Sequence, residues 1–139
     1  MEYITHSVEE TEQLAERFAK QLKGTEVIAF FGGLGMGKTA FTRGLMKGLD
    51  FPYGVQSPTF SLVNQYDGKF TVYHFDMYRI NTYDDLYSTG FFDYLDTGVL
   101  VIEWSENIEN ALPDDFISIE IKEGTKPDER IIKIEGIEF

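Results

Sequence analysis

Apolar residues along this chain change period several times, and each change marks an element. Val8, Leu14, Ala15, Phe18 and Leu22 recur at helical spacing and predict an amphipathic helix over residues 7–23. Ser7 and Glu10 form an S-x-x-E capping box at its start, and Gly24 supplies a stop. Val27-Ile28-Ala29-Phe30-Phe31 is a continuous apolar run of strand length, predicting a strand over Glu26–Phe31. Helical spacing returns from Lys38 to Leu49, with Phe41, Leu45 and Leu49 as the buried stripe and Asp50-Phe51-Pro52-Tyr53-Gly54 as the turn that ends it. Thr59–Tyr66 and Lys69–Met77 flank Asp67-Gly68, which predicts a hairpin with a two-residue type I′ loop. On its second strand Tyr73, Phe75 and Met77 share one face, while His74, Asp76 and Tyr78 share the other. Asn81–Leu95 predicts one or two short helices, capped by Thr82 and Asp85 and broken at Gly90. Its cluster of Leu86, Tyr87, Phe91, Phe92, Tyr94 and Leu95 reads equally as core or as an exposed docking surface. Gly98–Trp104 contains four consecutive apolar residues, the pattern of a central parallel strand buried on both faces. Pro113 closes a turn, Ile117, Ile119 and Ile121 alternate as a half-buried strand, and residues 124–128 form a loop. Arg130 to Phe139 predicts a last strand, bulged at Gly136.

Between the first predicted strand and the second helix lies Gly32-Gly33-Leu34-Gly35-Met36-Gly37-Lys38-Thr39, which fits G-x-x-x-x-G-K-[ST]. Glycines let such a loop turn several backbone N–H groups inward, and those groups with the positive end of the following helix hold phosphate anions. Lys38 would reach the β- and γ-phosphates, and the Thr39 hydroxyl would ligate magnesium. A glycine-rich turn with a chance lysine is the bland alternative; the order strand, loop, helix argues against it.

Further candidates follow from position. Glu103 ends the four-residue apolar run, either at the strand end where P-loop proteins place a magnesium-holding carboxylate or as a strand-end Glu facing solvent, with the P-loop in the same chain favouring the metal role. Asp76 stands near the end of another strand among apolar neighbours, either as a magnesium-shell or water-orienting carboxylate or as a structural partner of Arg79 or a turn. Val55-Gln56-Ser57-Pro58-Thr59-Phe60 reads as a loop entering a strand, and its Thr fits either a γ-phosphate switch or a polar turn. His74 reads as a structural histidine, with no partner evident beside it.

Composition narrows the classes. At 139 residues the expectation is one domain. Twelve Phe and eight Tyr make the interior or a partner surface aromatic. Cysteine is absent, so disulfides and thiolate metal sites are excluded. The polar, acidic opening and the lack of a run near the ~20 apolar residues of a membrane helix lead us to expect a cytoplasmic protein with no membrane association. The formal net charge of −12 disfavours autonomous binding to nucleic acid, helps solubility and could steer a basic protein partner.

Taken together, the loop Gly32–Thr39, Ser57-Pro58-Thr59-Phe60, His74-Phe75-Asp76-Met77-Tyr78-Arg79 and Ile102-Glu103-Trp104 resemble, in this order, the bacterial ATPase family of tRNA threonylcarbamoyladenosine biosynthesis, TsaE (YjeE). The resemblance runs from the first helix to the final strand. It implies an α/β fold: a single P-loop NTPase-like domain with a mixed, mostly parallel central sheet flanked by helices, plus the β-hairpin and C-terminal strands. It implies slow ATP hydrolysis with magnesium, and work with the TsaB–TsaD pair, in which TsaD transfers the threonylcarbamoyl group to an adenosine beside the tRNA anticodon. Hydrolysis in this family is thought to reset that pair between turnovers, so tRNA would be met only through the complex.

Carried over by position, Leu34, Gly35, Met36, Gly37, Lys38 and Thr39 would cradle the phosphates, Thr39 and Glu103 would serve magnesium, and Asp76 would help activate the attacking water. Lys38, Asp76 and Glu103 are thus the catalytic candidates. Ser57 and Thr59 would form the switch-like segment, and Thr11 and Arg130 would lie near the nucleotide. No guanine-reading N-K-x-D motif is present. The family loop usually reads G-D-L-G-A-G-K-T; Gly33 replaces its Asp, Met36 its Ala, and Ser105 stands where Pro often follows the Trp. The competing readings are a small-molecule P-loop kinase, for which no Arg-bearing lid is evident, and a non-hydrolysing module that binds nucleotide structurally.

Overall fold

The computed structural model describes residues 1–31, 37–50 and 63–138. The Leu34, Gly35, Met36, Ser57 and Thr59 assignments, and the Gly33 departure, lie outside them. The described strands are β1 (Glu2–Thr5), β2 (Val27–Phe31), β3 (Val63–Asp67), β4 (Thr71–Asp76), β5 (Val99–Glu103), β6 (Ile117–Glu123) and β7 (Arg130–Glu135). The helices are α1 (Val8–Ala19), α2 (Lys38–Gly48), α3 (Tyr83–Ser88) and α4 (Phe91–Tyr94), with a 3₁₀ segment over Ser105–Ala111.

One seven-stranded sheet runs in the order β1-β7-β6-β2-β5-β4-β3. Its middle is parallel: β2 pairs with both β5 and β6, and β5 pairs with β4. The flanks are antiparallel, with the β3–β4 hairpin on one side and β6–β7–β1 on the other. This is the mixed, centrally parallel α/β sheet flanked by helices that the sequence led us to expect.

Alternation along the central strands divides the core in two. Ile28 and Phe30 of β2 and Val99 and Val101 of β5 pack with Leu14, Phe18, Phe41 and Leu45 of α1 and α2. Val27, Leu100 and Ile102 face the other way and pack with Leu86, Phe91 and Ile108, from α3, α4 and the 3₁₀ segment. Ser7 caps α1 by accepting from the Glu10 backbone N–H at 3.1 Å, and Thr82 caps α3 by accepting from Asp85 N–H at 3.1 Å. Glycines bring α1 and α2 close: a Cβ at Gly44 would collide with the Glu12 backbone, and one at Gly48 would lie 2.7 Å from both Glu16 O and Ala19 Cβ.

Several local expectations change. β1 was not foreseen; it is an edge strand made by pairing with β7, Glu2 opposite Lys133. Helix α1 ends at Ala19 rather than near residue 23, and Val8 is 53% exposed instead of joining the buried stripe. The hairpin turn is longer than Asp67-Gly68: Asp67 still pairs with Thr71, leaving a three-residue connection. Lys69 N–H donates to Leu49 O at 2.8 Å there, so the tip is fastened to the end of α2 instead of closing as a type I′ turn. The last strand ends at Glu135, because Gly136 adopts φ 97° and a side chain there would press on Phe116 O. The aromatic cluster of residues 86–95 divides, Leu86 and Phe91 entering the core and Tyr87 standing in solvent.

Candidate functional site

The site grows from the carboxyl edge of the parallel strands, where open α/β sheets bind ligands. Asp76 and Glu103 are register partners at the ends of β4 and β5. Alternation sets the direction of Glu103: Val101 belongs to the α1/α2 side of the core, and Glu103, two residues on, shares that face. Just past the paired strands, Met77 N–H donates to the Glu103 carbonyl at 3.0 Å, holding the two strand ends together.

Helix α2 supplies the opposing charge. Gly37 caps it with φ 96°, a left-handed conformation that glycine adopts without steric cost. Lys38, the first helical residue, is only 5% exposed, and its Nζ lies 5.7 Å from the centroid of the Trp104 ring. Trp104 takes φ 60°, a strained conformation for a bulky side chain, and also packs against Tyr78 with centroids 5.0 Å apart. Ser105, fully buried behind it, donates from Oγ to Ile102 O at 3.1 Å and closes the turn.

Glu103 is held more firmly than its position at a strand end implied. Its Oε2 lies 2.9 Å from Nε2 of buried His74. Burial acts to raise the Glu103 carboxyl, but the His74 hydrogen bond, the charge on His74 and the charge on Lys38 outweigh it, and the group sits below its ordinary value. An ionised Glu103 fixes the direction of the bond: His74 donates from Nε2. Its Nδ1 has no hydrogen-bond partner among the described residues. His74 therefore has the partner that the sequence did not reveal. The signal present was its alternation with Asp76 on one strand face; the missing information was which acid the neighbouring strand brings alongside.

Asp76 accepts from Tyr78 N–H at 3.0 Å through Oδ1, a turn-capping contact. No ion pair joins it to Arg79 among the described residues, so the turn-capping alternative is the structural one realised.

A second group of candidates meets at the α2 N-terminus. Thr11, Gly37, Thr39, Arg43, Asp128 and Arg130 line a pocket of about 290 Å³. Arg43 bridges to Glu12 at 2.9 Å, tying α2 to α1 beside it. The Arg130 stem packs next to Gly37, its Nη1 donates to Pro127 O and Glu129 O at 2.8 and 2.9 Å, and its buried Nε has no partner among the described residues. Thr39 is exposed at this pocket. Thr11 is buried, its hydroxyl 2.7 Å from the Thr5 hydroxyl and 3.3 Å from Ser7 O, so it anchors the start of α1 against β1.

Comparison with known proteins identifies the family. The family model "Threonylcarbamoyl adenosine biosynthesis protein TsaE" matches residues 5–132. The tRNA threonylcarbamoyladenosine biosynthesis protein TsaE of Aquifex aeolicus is 41% identical over 135 residues, covering 95% of this chain and 96% of that one. The protein of the same name from Bacillus subtilis is 37% identical, covering 88% and 77%. The crystal structure of Bacillus subtilis YdiB superposes with a TM-score of 0.73 at 34% identity, over 95% of this chain and 82% of that one. A strand–GxxxxGKT–helix unit on a centrally parallel sheet, matched in sequence over nearly its whole length, places this chain in the TsaE family of tRNA threonylcarbamoyladenosine biosynthesis.

Proposed function

We propose that this chain is the magnesium-dependent ATPase of the threonylcarbamoyladenosine machinery, acting with the TsaB–TsaD pair and resetting it between turnovers. The observation that carries this reading is the meeting of a buried Lys38 with Glu103 and Asp76 at one sheet edge. Two carboxylates at neighbouring strand ends beside a lysine charge would suit a magnesium ion shared with substrate phosphates. The Arg130 Nε, without a partner among the described residues and beside Gly37, fits a phosphate-bearing ligand.

Gly37, Lys38 and Thr39 would hold the phosphates, with Leu34, Gly35 and Met36 completing the loop. Thr39 and Glu103 would hold magnesium, and Asp76 would orient the attacking water. Among the described residues no three acidic or imidazole groups gather into a protein-only metal cage. One or two carboxylates shared with substrate phosphates are the usual magnesium arrangement. Bound magnesium would neutralise charge developing on the transferred phosphoryl group. His74 keeps Glu103 ionised and aimed. Lys38, whose ammonium lies over the Trp104 ring, would set its charge against the phosphates.

The deciding experiment is magnesium-dependent ATP hydrolysis by the chain alone and with TsaB–TsaD, with Lys38→Ala as control. Stimulation by the pair that vanishes in the control is the expected result. Tight ATP binding without turnover in either condition would favour the nucleotide-bound module, with Gly33→Asp as the variant to restore hydrolysis. Phosphoryl transfer to an added small molecule would favour a kinase.

A further inference from the structure

The α3, α4 and 3₁₀ segments carry features that the nucleotide site does not use. Tyr83 and Tyr87 are 66% and 68% exposed, and their rings stack on each other and on Phe92 with centroids 5.8–6.4 Å apart. Exposed rings in contact with one another form an apolar patch, which is uncommon on a surface with nothing to cover it. Tyr83, Leu86 and Phe92 make one wall of an open groove of about 610 Å³, and residues 106–111 make the other.

The segments that build this groove carry charge of one sign. Between Arg79 and Lys122 the sequence contains no lysine, arginine or histidine. Exposed Asp84, Asp85, Asp93, Asp96, Glu106 and Glu109 lie on the segments that build it. The chain's bases are instead distributed over α1, α2 and the outer segments.

These features select the occupant. A nucleic-acid backbone would be repelled. A second copy docking by the same face would set these acids against each other, since a two-fold contact brings a patch onto itself. What complements an aromatic groove with an acidic rim is a basic protein surface that inserts one aliphatic or aromatic side chain.

We infer that this groove, with the Tyr83–Tyr87–Phe92 cluster at its edge, is the surface on which this chain docks a basic face of its protein partner. In using TsaB–TsaD as that partner, the inference rests on the function proposed above. The groove is also well placed to report docking to the site. Its 3₁₀ wall follows Glu103 and Trp104 directly in the chain, and Asn107 Nδ2 donates to Met77 O and Tyr78 O at 2.8 and 3.4 Å, just beyond Asp76.

The test is the affinity of the full chain for the purified TsaB–TsaD pair, with ATP binding measured in parallel. Tyr83→Ser/Tyr87→Ser removes the apolar anchor. Asp84→Lys/Asp93→Lys/Glu109→Lys reverses the rim. Glu2→Lys/Glu9→Lys/Glu138→Lys makes the same change of net charge elsewhere on the surface. The aromatic variant is expected to bind the pair about tenfold or more weakly with ATP affinity retained. The rim variant is expected to associate more slowly and to lose salt sensitivity, while the control behaves as wild type. Wild-type affinity in both groove variants, or equal losses in rim and control variants, would overturn the groove as the docking surface. Failure of the unmodified chain to bind the pair at all would remove the partner, and the proposal with it.

Discussion

The two faces of the sheet are built on opposite principles. On one, α1 and α2 press together through Gly44 and Gly48, and α2 carries Gly37 and Lys38 to the ligand edge. On the other, α3 and α4 are 6 and 4 residues long, and the 3₁₀ segment kinks at Ile108. Short helices bury little surface each, so this face is held by single large side chains, Phe91 at 0% exposure above all, while its outer rings remain in water. The difference teaches a division of labour. The face that positions Lys38 is packed to the backbone, and the face proposed to meet a partner keeps apolar rings exposed.

That contrast makes the two faces fail in opposite ways, one by loss of volume and the other by gain. Phe91 packs edge-on against Phe75 and Phe92 with centroids 5.4 and 5.5 Å away. Phe91→Ala should cost about 3–5 kcal/mol in urea unfolding, because short helices cannot close over the void. Gly44→Ala adds only a methyl, yet that methyl meets the Glu12 backbone rather than a flexible side chain. We expect a loss of about 1–3 kcal/mol, although alanine is ordinarily the better helix former. Because α2 must shift to admit the methyl, ATP affinity should fall in Gly44→Ala. Phe91→Ala should leave it closer to wild type under native conditions. A stabilising Gly44→Ala would show that the close approach of α1 and α2 is not required.

The seam between the faces responds to pH. The Glu103 carboxyl is held below its ordinary value of 4.5, so its ionised form stabilises the folded state. That contribution is complete above the unfolded value near 4.5 and is lost as pH falls through the lower folded value. Glu103→Gln should remove this part of the acid sensitivity. The stability gap between wild type and variant should narrow as pH is lowered from 7 to below about 4. A gap independent of pH would show that His74 and Lys38 do not hold the carboxylate in the folded state. In hydrolysis, Glu103→Ala should reduce the magnesium-dependent rate by about 100-fold or more, a size typical of losing a group that stabilises transition-state charge.

Legibility in the sequence followed the range of the interaction. Ser7 and Thr82 announced their helices because a cap acts within one turn. β5 was legible because burial on both faces writes itself as Val99-Leu100-Val101-Ile102. β1 was not: Glu2-Tyr3-Ile4-Thr5 has little pattern, and its partner β7 lies at the far end of the chain. The hairpin connection was misread for a similar reason, since Lys69 N–H donates to Leu49 O, just past the end of α2. In the site, Glu103 and Asp76 could be named from their places at strand ends. The bond between Glu103 and His74 could not, because it depends on the register that sets His74 opposite Val101 in a parallel pair. Gly44 and Gly48, four apart on one face of α2, were a visible signal of close helix contact that the motif at Lys38 overshadowed.

The smallest expected effect separates surface kept for stability from surface kept for contact. Tyr87 is mostly exposed, and its rings of contact, Tyr83 and Phe92, both lie 6.4 Å away between centroids, near the outer limit of useful aromatic packing. Tyr87→Ser should therefore change unfolding stability by no more than about 0.5 kcal/mol, with the urea slope unchanged. A loss as large as that of Gly44→Ala would make Tyr87 part of the core of its face, and the reserve of apolar surface would shrink to Tyr83 alone. A neutral result leaves an aromatic ring that the fold does not need, standing among the acids of α3, α4 and the 3₁₀ segment.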